Sequence, residues 1–437
     1  MTKETALTAG RPTTAIDSRR RELAAATVGS VVESFDWNVY AVLAPYFAAD
    51  LFGHGKGGVS GLLAAYVGFA VGFGARPVGS YLVGRLSDRR GRRFGLLLSM
   101  SVIAAGGLAI ALVPPQHEIG AWAAVLAVLA RVVQGLAFGG ETPTVAAYVT
   151  ETAPAGRRYL FSSVSYGGII IGSLLSYGVL AVLAAGLGKS GLSHGGWRWG
   201  FVAAALLGLA AVWVRRIAPE SADFQHARAV TRQRPAFLAV LREHRWAALT
   251  VFLNGIGGTV GYYFALVYLP VYASAYGVVD KESASSFMTV VLAVVLVTML
   301  LTGAAADRFG LLPVMRVAFG ATVLLTLPLL AALRHGWLPF QLVAVALGML
   351  VATVLGTLNV FIGLLFPTAV RALGLGVVNT TTIAVFGGTF PLLAQWLDDT
   401  GRLGLVPYYV TLCSLGPLVA AFTATRVPHF TERAATA

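Results

Sequence analysis

An all-α integral membrane protein of twelve transmembrane helices in two six-helix pseudo-repeats is the fold class this sequence predicts. Three observations predict it. Of 437 residues, 57% are hydrophobic and 12% charged, against roughly a quarter charged in a soluble domain. Apolar stretches of about twenty residues, the length that crosses ~30 Å of hydrocarbon as a helix, recur twelve times. The stretch "GRLSDRRG" from Gly84 returns as "GAAADRFG" from Gly303, each between the second and third span of its half.

The elements follow in chain order. Residues 1–21 form a polar tail without the apolar region and cleavage site of a signal peptide, so it is expected to stay on the protein in the cytosol. Spans are expected at about 22–47, 59–83, 94–113, 121–149, 159–185 and 197–217, the N-terminal bundle of 22–217. The most polar internal stretch gives a cytosolic linker, 218–245. The C-terminal bundle, 246–425, holds spans at about 246–272, 283–303, 314–333, 337–366, 374–397 and 406–425, before a cytosolic tail, 426–437.

Orientation follows from the basic residues, which collect on the cytoplasmic side. With the N-terminus inside, 24 Lys and Arg fall inside, 6 outside and 2 within spans. This predicts a multi-pass protein of the plasma (inner) membrane with both termini cytosolic. The net charge of +13 lies in short clusters between apolar runs, which excludes a nucleic-acid partner. A lone Cys413 excludes a disulfide framework or CxxC site, and the histidines fall in loops, so no metal or cofactor is expected. No nucleophile–base constellation stands in the spans, so the chain is not read as an enzyme.

Ionisable residues inside a span are costly and mark a pathway. Glu33, Asp36, Arg76, Arg131 and Glu141 all lie in the N-terminal half, with no Asp, Glu, Lys or Arg well inside the C-terminal spans. At ~1.5 Å per residue Asp36 falls near the level of Arg131, and Glu33 near that of Arg76. Glu33 and Asp36 are three apart and are expected on one helix face. The C-terminal half offers Asn254, Tyr262, Tyr263 and Tyr268 in span seven and Asn359 in span ten, divided between helix packing and binding.

The pattern G-x-x-x-D-R-x-G-R-R, carried by Gly84, Asp88, Arg89, Gly91, Arg92 and Arg93, resembles the signature of the major facilitator superfamily. "VESFDWNVYA", "RVVQGLAFGGE", "ETAPAGRR" and "FPTAVRALGLG" are similar to its metabolite:proton symporter branch, which includes carriers of α-ketoglutarate, shikimate and proline or betaine. The resemblance runs from about residue 20 to residue 425. Two departures stand out: "ESFDWN" replaces an E-W-F/Y-D-F-type run, and Leu311 and Leu312 stand where the second loop copy would carry basic residues, which argues against a latch there.

The resemblance implies the major facilitator fold and a proton-coupled symporter importing a small organic metabolite by alternating access, a carboxylate such as a dicarboxylate or keto acid in first place. A symporter of a betaine- or proline-like osmolyte and a proton-antiport exporter are the alternatives. It implies protons, a small-molecule substrate and the bilayer as partners, and a monomer. Asp36, Glu33 and Glu141 are the expected proton-coupling residues, with Asp36 switching against Arg131. Arg76, Arg131, Gln134, Tyr40, Asn254, Tyr262 and Asn359 are the expected substrate-binding set. Gly84, Asp88, Arg89, Gly91, Arg92, Asp307 and Arg308 form the expected gating loops, stapling the halves together.

Overall fold

The computed structural model describes residues 13–53, 60–90, 92–138, 156–217, 237–367, 370–427 and 430. Within them the chain is helical, in twelve spans: α1 (Thr13–Phe52), α2 (Gly61–Arg90), α3 (Arg92–Leu112), α4 (Trp122–Ala137), α5 (Arg158–Gly191) and α6 (Arg198–Ile217), then α7 (Arg245–Tyr263, continuing through a wider π-type turn at Phe264–Tyr268 to Leu269–Ala275). α8 (Lys281–Phe309), α9 (Leu311–Arg334), α10 (Phe340–Leu365), α11 (Arg371–Thr382, through a π-type turn at Ile383–Gly387 to Gly388–Asp399) and α12 (Val406–Thr423) complete the set. A short helix, Phe237–Glu243, precedes α7.

Several helices outrun the apolar windows that announce them. α1 extends beyond 22–47 at both ends, and α2 runs on to Arg90, so Gly84, Asp88 and Arg89 belong to its last turns rather than to a ten-residue loop. Arg92 already opens α3. The cause is physical: hydropathy marks the edge of the hydrocarbon, whereas a helix ends where its backbone hydrogen bonds end, often several residues into the headgroups. Gly91 and Glu141 lie outside the described residues, as does the far end of the expected fourth span.

Burial is arranged for lipid. Leu206, Leu209, Val317, Leu324, Leu412 and Phe422 are each more than half exposed, because the outward faces of α6, α9 and α12 meet hydrocarbon rather than water. Exposed Trp122, Trp199, Trp337 and Tyr408 ring one end of the bundle, and Trp213 and Trp246 the other, where amphipathic rings anchor to the interfaces. The end where α1 begins, α2 ends and α7 begins is called the basic face below.

Polar backbone and small residues set the helix spacing, since lipid supplies no hydrophobic drive for helix association. On α2 and α4, a Cβ at Gly135 would overlap the Gly72 carbonyl, and one at Gly79 the Leu136 carbonyl. Across the two halves, a Cβ at Gly303 of α8 would overlap the Ser163 hydroxyl of α5, and Gly310, at φ +86°, makes the one-residue turn from α8 to α9.

Gly135→Val should therefore lower the thermal stability of the detergent-purified protein by the equivalent of about 1–3 kcal/mol, the usual cost of overpacking. Gly178→Ala, where an added Cβ meets nothing within 4 Å, should leave the melting temperature in place.

Candidate functional site

Two adjoining polar structures occupy the middle of the molecule. The first lies wholly inside the N-terminal half. Asp36 on α1, 1% exposed, accepts a hydrogen bond at Oδ2 from Arg131 Nη1 of α4 at 3.0 Å. Arg131 Nη2 also donates to the Asp36 carbonyl oxygen at 3.2 Å. Gln134 Nε2 donates to both carboxylate oxygens, at 3.0 and 3.1 Å, and to the Ile103 carbonyl of α3 at 3.0 Å. The Arg131 guanidinium lies 4.2 Å from the centre of the Tyr40 ring, and the Tyr40 hydroxyl donates to the Ala65 carbonyl of α2 at 2.9 Å.

Glycines make the room. A Cβ at Gly106 would overlap the Gln134 side chain, and one at Gly107 would stand 3.3 Å from Asp36 Oδ1. A buried charge survives only when paired and hydrogen-bonded, and removing one partner of such a pair costs about 3–5 kcal/mol.

The second structure is a cavity of about 110 Å³ between the halves. It suits a metabolite-sized solute rather than the drug-sized ligands of pockets of ~300–1,000 Å³. α1 lines it with Ser30, Glu33, Ser34, Trp37 and Asn38, and α2 with Arg76. From the other half come Asn254, Thr259, Tyr262 and Tyr263 of α7 and Asn379 of α11. The Arg76 guanidinium carbon sits 3.9, 3.8 and 3.7 Å from the ring centres of Trp37, Phe73 and Phe138. A cation so desolvated gains about 2 kcal/mol or more from the ring faces. Its Nε has no hydrogen-bond partner.

A hydroxyl–amide seam joins the halves beside the cavity. Asn38 Nδ2 donates to the Tyr262 hydroxyl at 3.1 Å and to Ser34 Oγ at 3.0 Å; Ser34 Oγ donates to the Ile169 carbonyl at 2.7 Å. The Tyr262 and Ser173 hydroxyls share a hydrogen bond at 2.6 Å. Away from the basic face the halves meet through rings, Phe69 and Phe73 of the first packing with Tyr263 of the second, and Tyr66 with Tyr268. Beyond them the Ser60 hydroxyl donates to Asp399 Oδ2 at 2.7 Å. Asn254 is different from its polar neighbours: it is 1% exposed, and neither its Nδ2 nor its Oδ1 has a partner. Each such orphan costs about 1–3 kcal/mol.

The sequence-derived residues divide between these structures. Asp36 and Arg131 meet. Glu33, Arg76, Asn254 and Tyr262 line the cavity. Arg131, Gln134, Tyr40 and Asn359 are buried outside its lining. Glu33 and Asp36, ~60° apart on neighbouring parts of α1, serve different structures: Glu33 lines the cavity with Ser30, Ser34, Trp37 and Asn38, while Asp36 is held by Arg131 and Gln134.

At the basic face the second motif copy reaches across the halves. Asp307 of α8 accepts from the backbone N–H groups of Tyr159 at 2.9 Å and Leu160 at 3.0 Å, capping the first turn of α5. The lack of basic residues at Leu311 and Leu312, which argued against a bridge here, does not prevent it, because the carboxylate binds a helix end and needs no arginine. Arg308 is exposed and lies 5.3 Å from the centre of the neighbouring Phe309 ring.

Asn38, Trp37, Phe138, Tyr166 and Asn379 were not singled out from sequence as binding residues. Asn38 had a signal, a polar residue one turn from Ser34 inside a span; Phe138 had none. Among the described residues, no three His, Cys, Asp or Glu side chains gather as a metal site would need.

Comparison with known proteins agrees with this architecture. The alpha-ketoglutarate permease of Escherichia coli (strain K12) is 34% identical over 431 residues, spanning 98% of each chain. The ectoine/proline transporter ProP of Corynebacterium glutamicum is 32% identical over 401 residues, 87% of this chain and 78% of that one. In fold, the chain is similar to a crystal structure of a D-xylose-proton symporter, with a TM-score of 0.73 at 21% identity over 95% of this chain and 98% of that one. A family model described as Major Facilitator Superfamily matches residues 26–391. The chain is a multi-pass membrane transporter, not an enzyme, and belongs to the major facilitator superfamily.

Proposed function

We propose that this chain is a proton-coupled symporter that imports a small organic carboxylate across the plasma membrane, acting as a monomer. The observation that carries the reading is Arg76, a cation fixed by three aromatic rings on the wall of a cavity between the halves. In a dry site a guanidinium–carboxylate pair is short, directional and little screened. The name of the permease relative, a keto-acid carrier matched end to end, supports the same substrate class.

The basic face is taken as cytosolic on the positive-inside rule. The bundles of residues 22–217 and 246–425 then rock about the cavity, alternately exposing it to either side. Glu33 is the proton carrier in this reading, because it shares the cavity with Arg76, whereas Asp36 is sealed in the clamp. Protonating Glu33 leaves the Arg76 charge to the incoming carboxylate, and the loaded cavity is neutral again, which lowers the cost of closing the halves over it. Asp307 acts as the latch of the basic face.

A zwitterionic osmolyte is the second reading, favoured by the ectoine/proline relative and by Tyr166, Tyr262 and Tyr263 on the wall. Against it, the tightest aromatic cage already holds Arg76, so a quaternary ammonium finds that cage filled.

Counterflow in proteoliposomes with organic acids, betaines and amino acids should select a small carboxylate. Arg76→Ala should weaken that substrate about 10–100-fold, the worth of a charge-assisted hydrogen bond. Selection of betaine over every acid would favour the osmolyte. Uphill uptake should also collapse with a protonophore.

Glu33→Gln should abolish uphill uptake while keeping exchange at equal pH. Asp36→Asn should instead lose about 3–5 kcal/mol of stability, read as a lowered melting temperature. A stable Asp36→Asn protein that exchanges but cannot accumulate would return the proton to Asp36.

Asp307→Ala should lengthen spin-label distances between α5 and α8 at the basic face while changing substrate affinity by less than about threefold, since the loss lies in the closed state's cap rather than in the cavity. Unaltered distances would remove the latch role.

A further inference from the structure

We propose that Asn254 reads the far end of the substrate: the cavity takes a carboxylate whose other end is an uncharged group that both donates and accepts a hydrogen bond, namely a hydroxyl, an amide or a protonated carboxyl. The proposal rests on the reading of Arg76 as the carboxylate anchor.

Asn254 lines the cavity on α7, across the halves from Arg76, buried and with amide nitrogen and oxygen both unpartnered. Trp37 Nε1 and Arg76 Nε on the wall are donors alone, so Asn254 is the lining side chain with both an unpartnered donor and an unpartnered acceptor among the described residues. Asn38 and Tyr262 hold one another, and Ser34 holds the Ile169 carbonyl. An amide on a cavity wall with both ends unpartnered is matched by a ligand that supplies both halves of the exchange. A carboxylate has acceptors alone. It would satisfy Nδ2 and set its second oxygen against Oδ1. A methyl group would satisfy neither. Exchanging the amide N and O by rotation changes nothing, because neither has a partner.

Charge leads to the same class. Among the described lining residues Arg76 is the one cation and Glu33 the one carboxylate. A second ionised carboxyl on the substrate would enter with no further cation on the wall beside it, an unpaired charge once the halves close over it. A dicarboxylic acid therefore fits with its far carboxyl protonated.

The test uses the full-length protein purified in detergent and isothermal titration with four probes of one chain length: butyrate, succinate, succinamate and γ-hydroxybutyrate. At about pH 8 both succinate carboxyls are ionised. Succinamate and γ-hydroxybutyrate should bind about tenfold tighter than butyrate, the worth of one or two neutral hydrogen bonds, and tighter than succinate. Asn254→Leu should bring the ratio of succinamate to butyrate affinity down to about one. If that variant fails to fold, Asn254→Asp keeps the shape and should raise the discrimination against succinate.

A ratio that survives Asn254→Leu, or succinate bound tighter than succinamate, overturns the proposal while Arg76-dependent binding stands. Binding of butyrate that ignores Arg76→Ala, or no binding of any probe, overturns the carboxylate anchor and the proposal together.

Discussion

The sealed Asp36–Arg131–Gln134 clamp is the constraint from which the rest of the site follows. It fixes the rotation of α1 about its own axis, because Asp36 must point at α4 to keep its two cationic and two amide contacts. With Asp36 turned inward, the next residue, Trp37, is carried round to the cavity wall and against Arg76. Asn38 and Ser34, one helical turn apart, face the second half. A rotation of α1 that broke the clamp would strand a guanidinium away from its anion, and would dismantle the cage and the seam at once.

Much of this was legible in the sequence, and what was not has a common cause. Twelve spans, their order and the likeness between halves can be read from hydropathy and a repeated octapeptide, since lipid imposes length and polarity on every crossing segment. The Asp36–Arg131 pairing was legible too, because buried charge is rare and depth along a helix is simple arithmetic. Rotation was not: the ~60° that separates Glu33 from Asp36 decides which carboxylate meets the cavity, and the local sequence of α1 does not record which way the helix is turned. An apolar wall residue such as Phe138 carries no excess cost in a span and so leaves no mark. The reach of α2 to Arg90 was hidden because hydropathy falls before the helix ends.

The second motif copy bridges the halves without the paired arginines of the first. In the second copy each defining residue meets a separate steric or electrostatic need. Gly303 admits the α5 backbone, Asp307 takes its first free amides, and Gly310 turns the chain into α9. The arginines are dispensable for that contact, which is why their replacement by Leu311 and Leu312 leaves the bridge intact.

The seam between the halves contains no ion pair among the contacts Asn38, Ser34, Ser173 and Tyr262 make; it is built of hydroxyls and one amide at 2.6–3.3 Å. Each of these groups can exchange the roles of donor and acceptor, and each can be served by a single water when its partner leaves. Parting therefore strands no charge, and rejoining demands no fixed polarity. Strength and wear fall in different places: the ionic bond of the molecule is walled off, while the joint that the proposed cycle opens is weak, reversible and wettable, so in that cycle the rate of turnover can be tuned there without touching the stability of the fold.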